Sequence, residues 1–216
     1  MNDLSNIRFF STQPHECGYI AGEQATTVFV DPDLEIDRAL YSQLSSMGFR
    51  RSGQHLYRPH CEACQACVPT RLPVSNFTPN RQQKRCIKRN LDMEVQFVSE
   101  LSLERHYPLY ERYISLRHCD GDMYPPTTEQ FQSFLSSQWG GAEYLEVTLG
   151  DKLLGVAVTD RLEDAFSAVY TFFDPDYDKH SLGVFCLLKQ IEEAKSRGLQ
   201  YLYLGYWIES CQKMRY

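Results

Sequence analysis

Three groups of residues in this chain have types and spacings that suit chemistry. Cys61, Cys64 and Cys67 follow a C-x2-C-x2-C spacing, and Cys17 sits on an earlier Cys-Gly-Tyr turn. Four thiolates on short turns could converge on tetrahedral zinc or on an iron–sulfur centre. Four-cysteine sites normally use two C-x2-C knuckles, and position 20 is Ile20, so idle reduced thiols and a redox-sensitive pair stay open beside metal. The second group is Arg81, Lys84, Arg85, Lys88 and Arg89, which recur at three- and four-residue spacing on one broad helical face. That face suits phosphate contacts, which hold a nucleic-acid backbone without reading sequence; a solvated charge run is the ordinary alternative. From Gly48 to Asn90 the chain holds nine Lys and Arg, including Arg50, Arg51, Arg58 and Arg71, against the single acid Glu62, although the whole chain is −6. Such segregation favours a polyanionic partner.

The third group is VYTFFDPDYDKHSLGVFCLL at 169–188. A strand that opens into a helix at His180-Ser181-Leu182-Gly183 presents free N–H groups and a positive dipole end to an anion or a developing oxyanion. Tyr170, Asp174 and Asp178 are nearby groups able to handle protons. The plain reading is a turn with Asp-Pro and Ser caps. Tyr203, Tyr206 and Trp207 read as core.

The elements that must position these groups follow from periodicity and punctuation. Strands are expected at 7–10 and 25–30, a helix from Ile36 to Met47 stopped by Gly48, and a strand from Phe49 to Tyr57. Val68 to Val74 is extended, with Pro69 and Pro73 marking a sheet edge. The basic helix runs from Pro79 to about Leu91, and Met93–Val98 alternates as a strand. Helices are expected at Leu103–His118 and Thr127–Ser137. The CDGDMYPP loop between them is the best candidate for a domain boundary or a substrate-facing loop. Strands at 144–149 and 153–160 form a hairpin around Gly150-Asp151, and 165–173 is a third strand. A helix from about Ser181 to Arg197 then leads to a last strand at 201–208. The expected class is α+β with a central crossover. Its two parts are residues 1–98, with the cysteine cluster and basic helix, and 99–216.

At 216 residues and 43% apolar content, the chain is long enough to bury a core. No apolar run spans a membrane, and MNDLSNIRFF lacks the build of a secretory signal. Eight cysteines in such a chain point to reduced thiols or metal and to the cytoplasm.

Together these residues resemble the bacterial aspartate/glutamate leucyltransferases, relatives of the eukaryotic arginyl-tRNA–protein transferases. The resemblance covers nearly the whole chain and rests on Cys17-Gly18-Tyr19, GFRRSG at 48–53, YRPHCEACQACVPTRLPV at 57–74, the basic segment at 79–90, YTFFDPD at 170–176, Ser181-Leu182-Gly183 and YLYLGYWIESCQKMRY at 201–216. It implies transfer of leucine from leucyl-tRNA to proteins that begin with Asp or Glu, marking them for degradation by the N-end rule. It also implies an N-acetyltransferase-like mixed sheet with flanking helices in the second part, adapted to an aminoacyl-tRNA donor.

The roles that follow are expectations. The helix start at Ser181 and Gly183 would stabilise the oxyanion, and Tyr170 and Asp174 would orient the amine or shuttle protons. Arg71 and Lys213 would hold the acceptor's carboxylate, and the five basic residues at 81–89 would hold the tRNA. No cofactor is required, and a zinc or iron–sulfur centre at Cys17, Cys61, Cys64 and Cys67 is open. Relatives of this kind continue past the QKM-x-Y motif, whereas this sequence stops at Tyr216, so a closing strand is expected to be missing from it. An arginyl-tRNA donor, a binding module with a structural metal, and an acetyltransferase using coenzyme A are the other readings. The last would need a glycine-rich pyrophosphate loop, here reduced to Gly183.

Overall fold

The computed structural model describes residues 7–214, except Gln138, Gly140 and the side chain of Lys213. The described residues begin with β1 (Phe9–Ser11), a short pair β2 (His15–Glu16) and β3 (Gln24–Ala25), and β4 (Thr27–Val30). Helix α1 (Arg38–Ser46) starts where the Asp37 carboxylate accepts the Leu40 N–H at 2.7 Å, a side-chain cap. It ends before Gly48, whose φ of +93° lets the chain turn. The single strand expected over 49–57 is a hairpin of β5 (Arg50–Ser52) and β6 (His55–Pro59). Gly53, at φ +59°, makes its turn within a stretch whose alternation continues on both sides. These strands form an antiparallel sheet ordered β1-β4-β6-β5.

There follow β7 (Val68–Pro73), α2 (Arg81–Arg89), β8 (Glu94–Val98), α3 (Leu103–Arg117), α4 (Thr128–Leu135), β9 (Ala142–Leu149), β10 (Lys152–Arg161), β11 (Ala165–Phe173), α5 (Leu182–Ser196) and β12 (Tyr201–Trp207). The larger sheet has the order β7-β12-β11-β10-β9-β8. Among the described residues only β11 and β12 run parallel, joined through the α5 crossover. Strand β7 lies at the edge, where its prolines cost no central ladder bond. The sheet takes β7 and β8 from before residue 99 and so crosses the expected 98/99 line.

One face of the sheet packs Leu145, Val147, Leu154 and Ala157 against Leu182, Phe185 and Cys186 of α5, with Cys86 of α2 in the same cluster. The other packs Val156, Val158 and Phe172 against Tyr110 and Ile114 of α3 and Phe131 and Leu135 of α4. The CDGDMYPP loop therefore joins two helices of one layer rather than two domains. Tyr107 Oη donates to its Pro126 carbonyl at 3.2 Å. The architecture is α+β, a mixed sheet with flanking helices.

The small sheet is fastened to the large one through buried polar groups. Arg51 donates from Nε and Nη2 to the two oxygens of Asp160 on β10, at 2.6 and 3.0 Å. Its Nη1 meets the carbonyls of Gly53, Phe134 and Ser136, and Tyr41 of α1 donates to Asp160 at 2.7 Å. Arg50 is also buried, donating to the Ser45 and Phe49 carbonyls with its guanidinium 4.9 Å from the Tyr203 ring. Two of the nine cations counted toward a positive surface are thus interior.

Candidate active site

Strands β11 and β12 pair only at Ala165–Tyr201, Phe166–Leu202 and Ser167–Tyr203. Beyond that point they separate. A register shift in the β10–β11 pairing lies on one side of the divergence. On the other, the β12–β7 register shifts at Gly205, which has φ +93°. Because α5 follows the C-terminal end of β11, it begins at the open end of this wedge. A 3-10 turn, Pro175–His180, delivers the chain to Ser181, which holds the left-handed conformation (φ 53°, ψ 49°) and makes no side-chain cap. The first N–H groups of α5 are therefore left uncapped by it, the condition under which a helix start favours negative charge. A Cβ on Gly183 would lie 3.5 Å from Phe173 Cε1, an ordinary contact, so the backbone there is close to an aromatic wall.

The turn is clamped on one side by cations. Arg112 reaches Asp176 at 2.6 Å and Asp174 at 3.4 Å, Arg117 reaches Asp178 at 2.6 Å, and Lys152 reaches Asp174 at 2.8 Å. On its other side lies α2. Asn90 donates to the His180 carbonyl at 3.0 Å and faces His180 Nδ1 at 2.8 Å, while Arg89 donates to the Lys179 carbonyl. Helix α2 itself is started by a reciprocal cap between Asn80 and Gln83. Arg81, Lys84, Arg85, Lys88 and Arg89 are all exposed. The basic face and the start of α5 are thus neighbours.

The other expected residues fall in different places. Tyr170 is half-buried among Tyr113, Tyr110 and Phe134, and burial pushes its phenol well above the usual range, so it keeps its proton at neutral pH. Asp174 is 3% exposed. Burial alone would raise its pKa, but Lys152, the Asp176 N–H and Arg112 outweigh that and hold the carboxylate below its ordinary value. It anchors the turn, and both its oxygens are engaged. Arg71 lies over the Tyr201 ring at 4.2 Å and donates to Tyr203 Oη at 3.2 Å. Those tyrosines belong to the paired, closed end of the wedge, away from the start of α5. The side chain of Lys213 lies outside the described residues.

Cys17, Cys61, Cys64 and Cys67 line one cavity of about 270 Å³ together with Arg58, His60 and Tyr206. Among the described residues, however, no three His, Cys, Asp or Glu side chains are disposed to hold a metal ion, so the donor set expected for zinc or iron–sulfur is not assembled. Burial, then the neighbouring thiols, pushes the Cys67 thiol up to about 11. Cys61 Sγ instead faces the Thr26 carbonyl at 3.8 Å.

Sequence reasoning missed Asn90, Arg112, Arg117 and Lys152. Asn90 carries a signal, since Asn is a common residue at a helix end, but nothing local joins it to position 180.

Comparisons with known proteins place the chain in a family. Family models of the arginine-tRNA-protein transferase N terminus and C terminus match residues 15–85 and 105–216. The chain is 54% identical to the aspartate/glutamate leucyltransferase of Saccharophagus degradans over all of this chain and 92% of that one. The figures are 54%, all and 89% for the protein of that name from Teredinibacter turnerae. They are 52%, all and 92% for that from Pseudomonas fluorescens strain Pf0-1. Among solved structures, the C-terminal domain of an Agrobacterium fabrum chain assigned as a lysylphosphatidylglycerol synthetase superposes with a TM-score of 0.52 at 11% identity, over 78% of this chain and 52% of that one. FemX gives 0.50 at 8% identity, over 94% and 80%. These two likenesses concern the fold alone. The chain belongs to the aspartate/glutamate leucyltransferases, within the wider arginine-tRNA-protein transferase family.

Proposed function

We propose that this chain transfers leucine from leucyl-tRNA to the α-amine of proteins that begin with Asp or Glu, in the cytoplasm, so that the new N-terminal leucine marks them for N-end rule degradation. The observation that carries this reading is full-length likeness, at more than half identity, to chains named for that activity. The site geometry supports it. The exposed basic face of α2 takes the phosphates of the tRNA acceptor arm and brings the aminoacyl ester to the wedge beside it. The wedge and the crossover helix correspond to an N-acetyltransferase-type sheet in which an aminoacyl-tRNA replaces the acyl thioester. In this reading residues 1–98 supply most of the tRNA grip, and residues 99–216 carry the transfer.

The chemistry asks little of side chains. An N-terminal amine has a pKa of about 8 and is partly neutral at pH 7, and the ester is already activated, so direct attack needs neither a covalent enzyme intermediate nor a cofactor. The oxyanion forms where the Ser181–Gly183 N–H groups start α5. Asp174 and Tyr170 hold the turn and wall of the site, and Lys213 is the proposed cation for the acceptor's carboxylate. The test uses purified protein, leucyl-tRNA or arginyl-tRNA carrying labelled amino acid, and peptides differing only in an N-terminal Asp or Met. Leucine on the Asp peptide alone is the expected result. Arginine there instead moves the chain to the arginyl donor, and no label from either donor overturns transfer.

A further inference from the structure

We infer that Asn90 is a positioning residue of the transfer reaction, holding the basic helix and the start of α5 in fixed relation so that a tRNA gripped by one presents its ester to the other. The inference rests on the transfer reading above. Asn90 is 1% exposed. Its Nδ2 lies 2.9 Å from the Cys86 carbonyl of its own helix and 3.0 Å from the His180 carbonyl. Both carbonyls can only accept, so the amide orientation is fixed. Oδ1 then faces His180 Nδ1 at 2.8 Å and must accept from it. Nδ1 of the imidazole therefore carries a proton. Arg89 takes the Lys179 carbonyl, and Cys86 Sγ lies 3.7 Å from the carbonyls of both His180 and Ser181. Three consecutive carbonyls entering α5 are thus held by α2, with Asn90 as the buried link.

A purely structural link would be redundant here. The same turn is fastened from its far side by Arg112, Arg117 and Lys152. Removing the Asn90 amide leaves the turn on α3 and β10, but its hold on α2 falls to the exposed Arg89 and the long thiol contacts of Cys86. The consequence falls on alignment between the tRNA grip and the helix start, and a misplacement of about 1 Å in a reacting pair costs up to about 100-fold in rate.

The experiment compares wild type with Asn90→Ala, using the full chain, leucyl-tRNA and an Asp peptide. It measures kcat and KM for leucyl-tRNA and binding of uncharged tRNA, each normalised to the folded fraction from a urea melt. We expect kcat to fall by about 10- to 100-fold, with tRNA binding unchanged within about threefold, a split that loss of folded protein does not produce. Asn90→Asp keeps the volume and the acceptor for His180 while setting an oxygen against two carbonyls, and serves if the alanine variant does not fold. The same loss of kcat is expected. A kcat per folded molecule within about twofold of wild type, or a loss confined to tRNA binding, overturns the inference. Wild type that moves no leucine in this assay overturns the transfer reading itself and the inference with it; a transferring wild type matched by its variants overturns the inference alone.

Discussion

Ser181 is the non-glycine residue with positive φ among the described residues, and its side chain makes no cap in return. A left-handed residue costs roughly 1–2 kcal/mol, and such strain persists where surrounding structure enforces it. Ser181→Gly should raise stability in urea by about 0.5–1 kcal/mol, the relief less the extra chain entropy of glycine. It should also slow transfer, because the helix start loses its fixed approach. A stabilised variant of unchanged rate would show that the strain has no catalytic use. Glu146 makes a different point. Burial would raise its pKa, yet Arg105, His106 and Gln96 together hold it down at about 2. His106 Nδ1 accepts the Ser102 N–H at 3.1 Å, so Nε2 carries the proton donated to Glu146 at 2.7 Å. A lowered carboxylate stabilises the fold above its unfolded pKa and loses that contribution as pH falls through the folded one. The stability gap between wild type and Glu146→Gln, at most about 3 kcal/mol, should be full above pH ~5 and vanish toward pH ~2. A gap that is flat over that range in urea melts would refute the assignment. The partners of Glu146 do not show in local sequence, because Gln96 comes from β8 and Arg105 and His106 from α3.

At the level of elements, periodicity is a good guide wherever a segment has one period and clear ends. Strand β11 matches its expected span of 165–173, and α5 and α2 lie within a residue or two of theirs. The hairpin of β5 and β6 reads as one strand in the sequence because alternation runs through a turn marked by Gly53 alone. Helix α2 is where charge pattern and function meet most directly. Removing two cations one turn apart, Lys84→Ala with Lys88→Ala, should weaken tRNA binding and flatten its dependence on salt. The slope of log K against log salt should fall by about 0.9 for each duplex phosphate no longer neutralised, or about 0.7 for each in single strand. The rate at saturating tRNA should change little, the opposite of the Asn90 variants. An unchanged salt slope would return the run to a solvated face.

For the whole molecule, the decisive tie is the Arg51–Asp160 pair, which a charge count places on the surface. Net charge carries no information about burial, and the partner lies far along the chain. Arg51→Met would leave Asp160 buried beside Tyr41 without its cation, and breaking such a pair costs about 3–5 kcal/mol. A double variant, Arg51→Met with Asp160→Leu, should recover much of that loss. Urea melts check both, and strict additivity would mean the two groups do not act as a pair. The cysteine cluster is legible in the sequence as a neighbourhood but not as a donor set, since spacing brings thiols to one cavity without fixing where each sulfur points. The divergence of β11 and β12 has a consequence of its own. From Ala168 onward β11 keeps its pairing with β10 but is no longer registered with β12, so its amides on that side lie beyond the parallel ladder. In heavy water those protons should exchange early, although they belong to a central strand, and slow down when an aminoacyl end fills the gap. The strand then works as an internal gauge of occupancy, readable from the main chain without changing a side chain.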